Sequence, residues 1–220
     1  MQKRRNRKSK SLAKRLAGYS VTAGAALAAG HQVQADIIWS GDEDILVNAA
    51  SPVLDIDLDK DQAADFRIEW HSWYFSASSW GRGLDIQAFQ GGEIRISDTM
   101  FSSASRLITS DQVDVSMGSW QTGAGLATSG SSTMTGSIRQ GNFLGQAGYV
   151  AVKFDSGETT CPGWIAFEGA SDATWGRVTG WACETETGTI HVPDIPEPTS
   201  LAMFALGAAG VAAFRRKRKA

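Results

Sequence analysis

Short apolar segments that recur along the middle of the chain, each bounded by glycine and serine, constrain the fold most. In several of them apolar and polar side chains alternate, as in Val150, Val152 and Phe154, which is the period of a β-strand. No stretch between residues 36 and 192 has a sustained helical period. We therefore expect strands at residues 45–47, 66–70, 84–89, 93–96, 112–115, 149–154, 164–167, 177–181 and 189–192.

These segments predict an all-β domain over residues 36–192. Regular short strands separated by turn sequences favour an antiparallel β-sandwich or a jelly roll. The length is sufficient for one domain with its own core. Residues 116–137 are rich in glycine, serine and threonine, so we expect either a long loop or a polar hairpin at a sheet edge.

The first 35 residues have the layout of a secretory signal peptide. Eight lysines and arginines and no acid lie in residues 1–15, a weakly apolar stretch follows at 16–30, and Val33-Gln34-Ala35 offers small side chains for cleavage. A basic arm that binds nucleic acid would also explain the cations. It would leave the apolar stretch and the cleavage site unexplained, so we expect export.

The other end of the chain holds three features in a fixed order. Residues 193–198 form a linker that contains Pro196, Glu197 and Pro198. Residues 199–214 are largely apolar, and residues 215–220 contain five consecutive cations that begin with Arg215 and Arg216. We expect a transmembrane helix at 199–214 and a basic cytoplasmic tail at 215–220.

This order of short motif, span and basic tail resembles the PEP-CTERM sorting signal of Gram-negative bacteria. The resemblance implies that the membrane protease exosortase recognises the motif and cuts near Pro196-Glu197-Pro198. It further implies a transient stay in the inner membrane, followed by the cell surface or the extracellular matrix. Residues 148–154, 163–165, 180–185 and 188–190 also resemble a group of small secreted PEP-CTERM proteins of unassigned function. A membrane-anchored protein that is never cut is the alternative.

Removal of both ends leaves a strongly acidic body. Of the 21 lysines and arginines, eight lie in residues 1–15 and five in 215–219, so eight remain beside all 23 acids. The body between residues 36 and 197 therefore carries a net charge of −15. Such a charge repels nucleic acid and favours solubility or cation binding.

One segment of the body has the spacing of a calcium loop. Asp57, Asp59, Asp61 and Asp65 stand at positions 1, 3, 5 and 9 of a short loop, and the carbonyl of Ala63 at position 7 can join them. Calcium prefers several oxygen ligands at short range, so this pattern predicts a structural calcium site. Gln62 stands where such loops have glycine, which predicts a compromised turn. A solvated acidic turn between strands is the alternative.

Two cysteines, Cys161 and Cys183, lie in the body. In an exported domain such a pair most often forms a disulfide. The resembling secreted proteins have tyrosine at both positions, which implies that the two positions face each other. A cysteine nucleophile with His191 as its base has no supporting local motif.

Tryptophans and glutamates offer two further interpretations. Trp70, Trp73 and Trp80 can form a surface on which sugars stack, although core packing is the more usual fate of tryptophan. Glu168, Glu184 and Glu186 can supply an acid and a base for glycoside hydrolysis, but no catalytic motif surrounds them. We therefore expect a non-enzymatic, exported protein that associates with exopolysaccharide. A secreted carbohydrate-binding or carbohydrate-active protein is the alternative.

Overall fold

The structure is a computed structural model that describes residues 37–193, except residues 77, 134, 135, 158 and 187 and the side chain at position 75. This part of the chain contains sixteen β-strands and no helix. The strands are β1 Ile37–Trp39, β2 Ile45–Asn48, β3 Val53–Ile56, β4 Phe66–Ser76, β5 Ser79–Ala88, β6 Glu93–Asp98, β7 Ser103–Ala104, β8 Arg106–Leu107, β9 Gln112–Asp114, β10 Ser119–Gln121, β11 Gly123–Ser132, β12 Gly136–Gln140, β13 Ala147–Ser156, β14 Thr159–Gly169, β15 Trp175–Glu184 and β16 Thr189–His191.

Fourteen of these strands form one sheet, in which almost every pair is antiparallel. Its main path is β1-β15-β14-β13-β6-β7-β11-β5-β4-β3, while β2, β8, β10 and β12 pair with β15, β13, β6 and β11. The contact between β7 and β11 is parallel. The remaining strands, β9 and β16, form a small antiparallel sheet.

Two parts of the large sheet pack face to face around the main core. Phe66 of β4 meets Phe154 of β13 edge to face, with their ring centroids 6.5 Å apart. Gly176 of β15 leaves space for a neighbouring ring, because a Cβ there would lie 2.5 Å from Phe167 of β14 and 3.0 Å from Leu84 of β5. Two sheet layers around one apolar core is the arrangement of a β-sandwich.

The small sheet covers the outer face of β13, β14 and β15. Val113 of β9 and Ile190 of β16 join a second buried cluster with Trp164 and Ala182. Cys183, the next residue along β15, belongs to the main core instead. Successive side chains of a strand point to opposite faces, so β15 is buried on both faces.

The prediction of an all-β, largely antiparallel domain is confirmed, and each of the nine predicted strands overlaps an observed one. The segment 116–137 is neither a long loop nor wholly an edge hairpin, because β11 lies inside the sheet between β7 and β5. The predicted signal peptide, transmembrane helix and basic tail lie outside the described residues. Within the described part, no helix is long and apolar enough to cross a membrane.

Candidate functional site

The acidic loop, residues 57–65, connects β3 to β4, which are antiparallel neighbours. Its base is closed by the N–H of Asp65, which donates to the carbonyl of Ile56 at 2.9 Å. In its middle Leu58 is fully buried in the main core. The loop is therefore fixed at its base and by one apolar side chain, while Lys60, Asp61 and Gln62 are exposed.

Three of the predicted ligands gather in this loop. Asp57, Asp59 and Asp61 each offer a carboxylate oxygen, and these oxygens lie within 4.8 Å of one another. The N–H of Asp61 donates to Asp57 Oδ1 and to Asp59 Oδ1, both at 3.2 Å. Alternate carboxylates thus converge because the backbone curls around them, as the spacing predicted.

The turn forms although glycine is missing from it. Gln62 adopts a φ of +77° and Lys60 a φ of +64°, in the left-handed region that costs a non-glycine residue roughly 1–2 kcal/mol. The N–H of Gln62 donates to Asp57 Oδ2 at 2.8 Å, and the Lys60 ammonium donates to the carbonyl of Trp39 at 2.9 Å. These contacts hold the strained backbone in place.

Asp65 lies outside the group of three converging carboxylates, whereas Ala63 contacts one of them through its N–H. Asp65 is 7% exposed, and its Oδ2 accepts the N–H of Leu58 at 2.7 Å. Burial raises the pKa of Asp65 to about 6; the hydrogen bond from Leu58 opposes this rise, and the charges of the three aspartates add to it. The N–H of Ala63 donates to Asp61 Oδ1 at 2.7 Å. The role of its carbonyl as a ligand stays a prediction.

Residues distant in sequence support the loop. The Ser156 hydroxyl, at the end of β13, donates to Asp59 Oδ2 at 2.8 Å. The indole N–H of Trp181 donates to the carbonyl of Asp57 at 3.2 Å. Sequence reasoning missed both, because a lone serine in a turn and a tryptophan in a strand give no signal of such a contact.

The structure does not support the predicted disulfide between Cys161 and Cys183, because both cysteines are free and buried in it. The direct partner of Cys183 across the ladder is Gly163, so Cys161 is offset by two residues. Diagonal neighbours are about 7–8 Å apart, beyond the usual Cα separation of a disulfide. The thiols instead donate to the carbonyls of Thr159 at 3.6 Å and Leu58 at 3.4 Å.

The three tryptophans proposed for sugar stacking do not share one surface. Trp70 packs against the main core, and its N–H donates to the carbonyl of Ala173 at 3.0 Å. The Arg82 guanidinium lies over the Trp80 ring, 5.4 Å from its centroid. Trp73 projects from the opposite face of β4 to Trp70, because the two are three residues apart on one strand.

The glutamates do not form a glycosidase pair between β14 and β15. Glu168 lies opposite Arg177, in an open groove of about 260 Å³, and Glu184 is seven residues further along β15. At about 3.3 Å per residue they are roughly 23 Å apart, whereas glycosidases need about 5–9.5 Å. Glu184 is buried and accepts the N–H of Glu186 at 2.6 Å.

His191, considered as a base for a cysteine nucleophile, is on β16. This strand packs on the face of β15 opposite to that of Cys183, so the two residues lie on different sides of the sheet.

Comparison with known protein families gives a match at the C-terminal end of the chain. Residues 194–218 match the PEP-CTERM protein-sorting motif. This confirms the predicted sorting signal and supports an exosortase substrate that is exported and sorted by way of the membrane toward the cell surface. The match leaves the function of the β body unassigned. Comparisons with curated proteins and with solved structures gave no match.

Proposed function

Because the chain carries an exosortase sorting motif, we propose that it is a non-enzymatic protein of the cell surface or extracellular matrix. Its signal peptide takes the body across the inner membrane. The C-terminal span holds the chain there until exosortase cuts near Pro196-Glu197-Pro198. The acidic β body then works outside the cell in association with exopolysaccharide. The sorting motif is the single observation that carries this proposal.

In this proposal the acidic loop binds calcium as a cofactor. Three converging carboxylates repel one another, and a divalent cation would neutralise that repulsion and pin the connection between β3 and β4. Asp57, Asp59 and Asp61 supply the hard oxygen ligands that calcium prefers. Extracellular calcium modules bind with dissociation constants of about 10⁻⁴–10⁻³ M, which suits a loop with three carboxylates at its centre. The role is structural.

The experiment that tests sorting compares the full chain in an exosortase-positive host and in the same host without exosortase. We expect the body to reach the surface or medium in the first host and to remain with the membrane fraction in the second. Replacement of Pro196, Glu197 and Pro198 by alanine in the first host should also cause membrane retention. Pro52→Ala, at an exposed position of the body, is the matched control and should leave release unchanged.

Equal release with and without exosortase would refute the proposed processing and favour another route to the surface. Retention in both hosts, with an intact C-terminus, would favour the uncut membrane-anchored protein.

A further inference from the structure

The outer face of β4 and β5 holds an aromatic pair laid across glycines. In the ladder between these strands Trp73 stands opposite Gly81 and His71 opposite Gly83. A Cβ at Gly81 would overlap the Trp73 indole, and a Cβ at Gly83 would lie 2.6 Å from His71 Nε2. Both rings therefore lie against the β5 backbone, in space that any larger residue on β5 would fill.

The two rings form a small aromatic platform. Their centroids are 5.4 Å apart and their planes differ by 29°. The His71 side chain is 43% exposed, and Trp73 is half-buried. On the next strand Gly130 stands opposite Gly81, so β11 also adds no side chain beside the indole. The platform is thus bordered on β11 by Gly130 and by Thr128, which stands opposite Gly83.

Trp73 differs from four other aromatic residues of the body in what lies over its ring. A cation lies over each of four other rings, namely Arg67 over Phe89, Arg82 over Trp80, Lys153 over Trp120 and Arg177 over Trp175. Among the described lysines and arginines, none takes this position over Trp73. Its neighbour is instead the His71 ring.

Carboxylates flank the platform on the same face. Glu69 stands opposite Asp85, one step along the ladder from His71. Asp85 Oδ2 lies 3.3 Å from His71 Nδ1, and the Asp85 and Glu69 side chains are 40% and 35% exposed. These oxygens can accept hydrogen bonds from hydroxyl or amine groups. Glu69 Oε1 also lies 3.7 Å from Arg67 Nη1, and Arg67 pairs with Asp55 as well. Three carboxylates beside one guanidinium leave an excess of negative charge, which repels other carboxylates.

We propose that the face made by His71, Trp73, Glu69 and Asp85 binds a glycan chain whose sugars carry hydroxyl or amine groups and no carboxylate. A sugar ring stacks on the Trp73–His71 platform above Gly81 and Gly83. Glu69 and Asp85 accept hydrogen bonds from its hydroxyls or amines. The inference rests on the proposed association with exopolysaccharide and names the site and the class of polymer for it.

The test uses the full chain in a detergent without sugar groups, because a glycosidic detergent would compete for the platform. Titration calorimetry with cellohexaose, chitosan hexamer and an alginate hexamer distinguishes neutral, amine-bearing and uronate sugars. We expect the first two to bind and the third not to bind. Trp73→Leu keeps an apolar cover over Gly81 without a ring face and should weaken binding about tenfold. Trp73→Phe should restore binding to within about threefold of the wild type.

Trp80→Ala is the matched control, because the Trp80 ring is already covered by Arg82, and it should bind as the wild type does. Glu69→Gln combined with Asp85→Asn should allow the alginate hexamer to bind. This double variant tests the proposed binding face if Trp73→Leu does not fold. Wild-type binding that survives Trp73→Leu, or preference for alginate, would overturn the inference and leave polysaccharide association intact. Failure of the wild type to bind any glycan would overturn both.

Discussion

Replacement of Asp59 by asparagine tests the calcium loop most sharply. Asp59 is one of the three converging carboxylates, and asparagine keeps its size and an oxygen that can accept from Ser156. With a dissociation constant of about 10⁻⁴–10⁻³ M, 10 mM calcium would stabilise the wild type by about 1.4–2.7 kcal/mol. For a domain of this size that corresponds to a Tm increase of about 3–11 °C.

Loss of one carboxylate should weaken calcium binding about tenfold, which removes about 1–1.4 kcal/mol of this stabilisation. Without calcium the variant should no longer be the less stable of the two proteins, because Asp59→Asn relieves repulsion between Asp57, Asp59 and Asp61. In a chelator the variant should therefore be at least as stable as the wild type. This change of sign separates a cation site from a loop in which Asp59 acts through its hydrogen bond alone.

The assay is thermal unfolding of the full chain in 10 mM calcium and in chelator, followed by circular dichroism. Asp42→Asn is the matched control, because it removes the same charge from an exposed position outside the loop. It should respond to calcium as the wild type does. An unchanged wild-type Tm in calcium, or equal calcium responses in wild type and Asp59→Asn, would refute the reasoning.

Three further results are expected. In chelator, wild-type stability should fall as pH rises from about 4 to 7, because the pKa of Asp65 in the folded state, about 6, exceeds its unfolded value. Asp65→Asn should weaken this dependence of stability on pH, and it should raise the free energy of unfolding at pH 7, measured with urea, by up to about 3 kcal/mol. An equal dependence on pH in both proteins would contradict the burial argument. Cys161 and Cys183 should be inert to a thiol reagent in the folded protein, because burial raises the pKa of both thiols. Both should react once the protein is unfolded without reductant. A lack of reaction in the unfolded protein would mean that a disulfide had formed. Phe154→Ala should cost about 3–5 kcal/mol in urea unfolding, because the ring is 1% exposed and packs on Phe66; a cost below 1 kcal/mol would contradict the face-to-face packing of the two sheet layers.

The strands with alternating apolar side chains could be predicted because that signal is local. β11 could not be predicted, since its glycine, serine and threonine residues resemble a loop in sequence. Its pairing depends on close backbone approach: a Cβ at Gly130 would lie within 3 Å of backbone atoms of β5. Small residues that permit such an approach look the same in a sequence as those of a flexible turn.

The three gathered aspartates could likewise be predicted, because the loop that collects them is continuous in sequence. The hydrogen bond from Ser156 to Asp59 could not be predicted, since the position of β13 relative to the loop is set by the packing of the whole core. The separation of Trp70 from Trp73 was present in the sequence, because residues three apart on a strand face opposite sides. The position of Arg82 over the Trp80 ring is visible only in the structure.

Intact-mass measurement of the chain recovered from the surface or medium of an exosortase-positive host tests the central claim most directly. The expected product has lost the signal peptide and the residues that follow the Pro196-Glu197-Pro198 region. A recovered chain that still contains Met1 and the basic residues from Arg215 onward would contradict the proposed sorting and release of the β body.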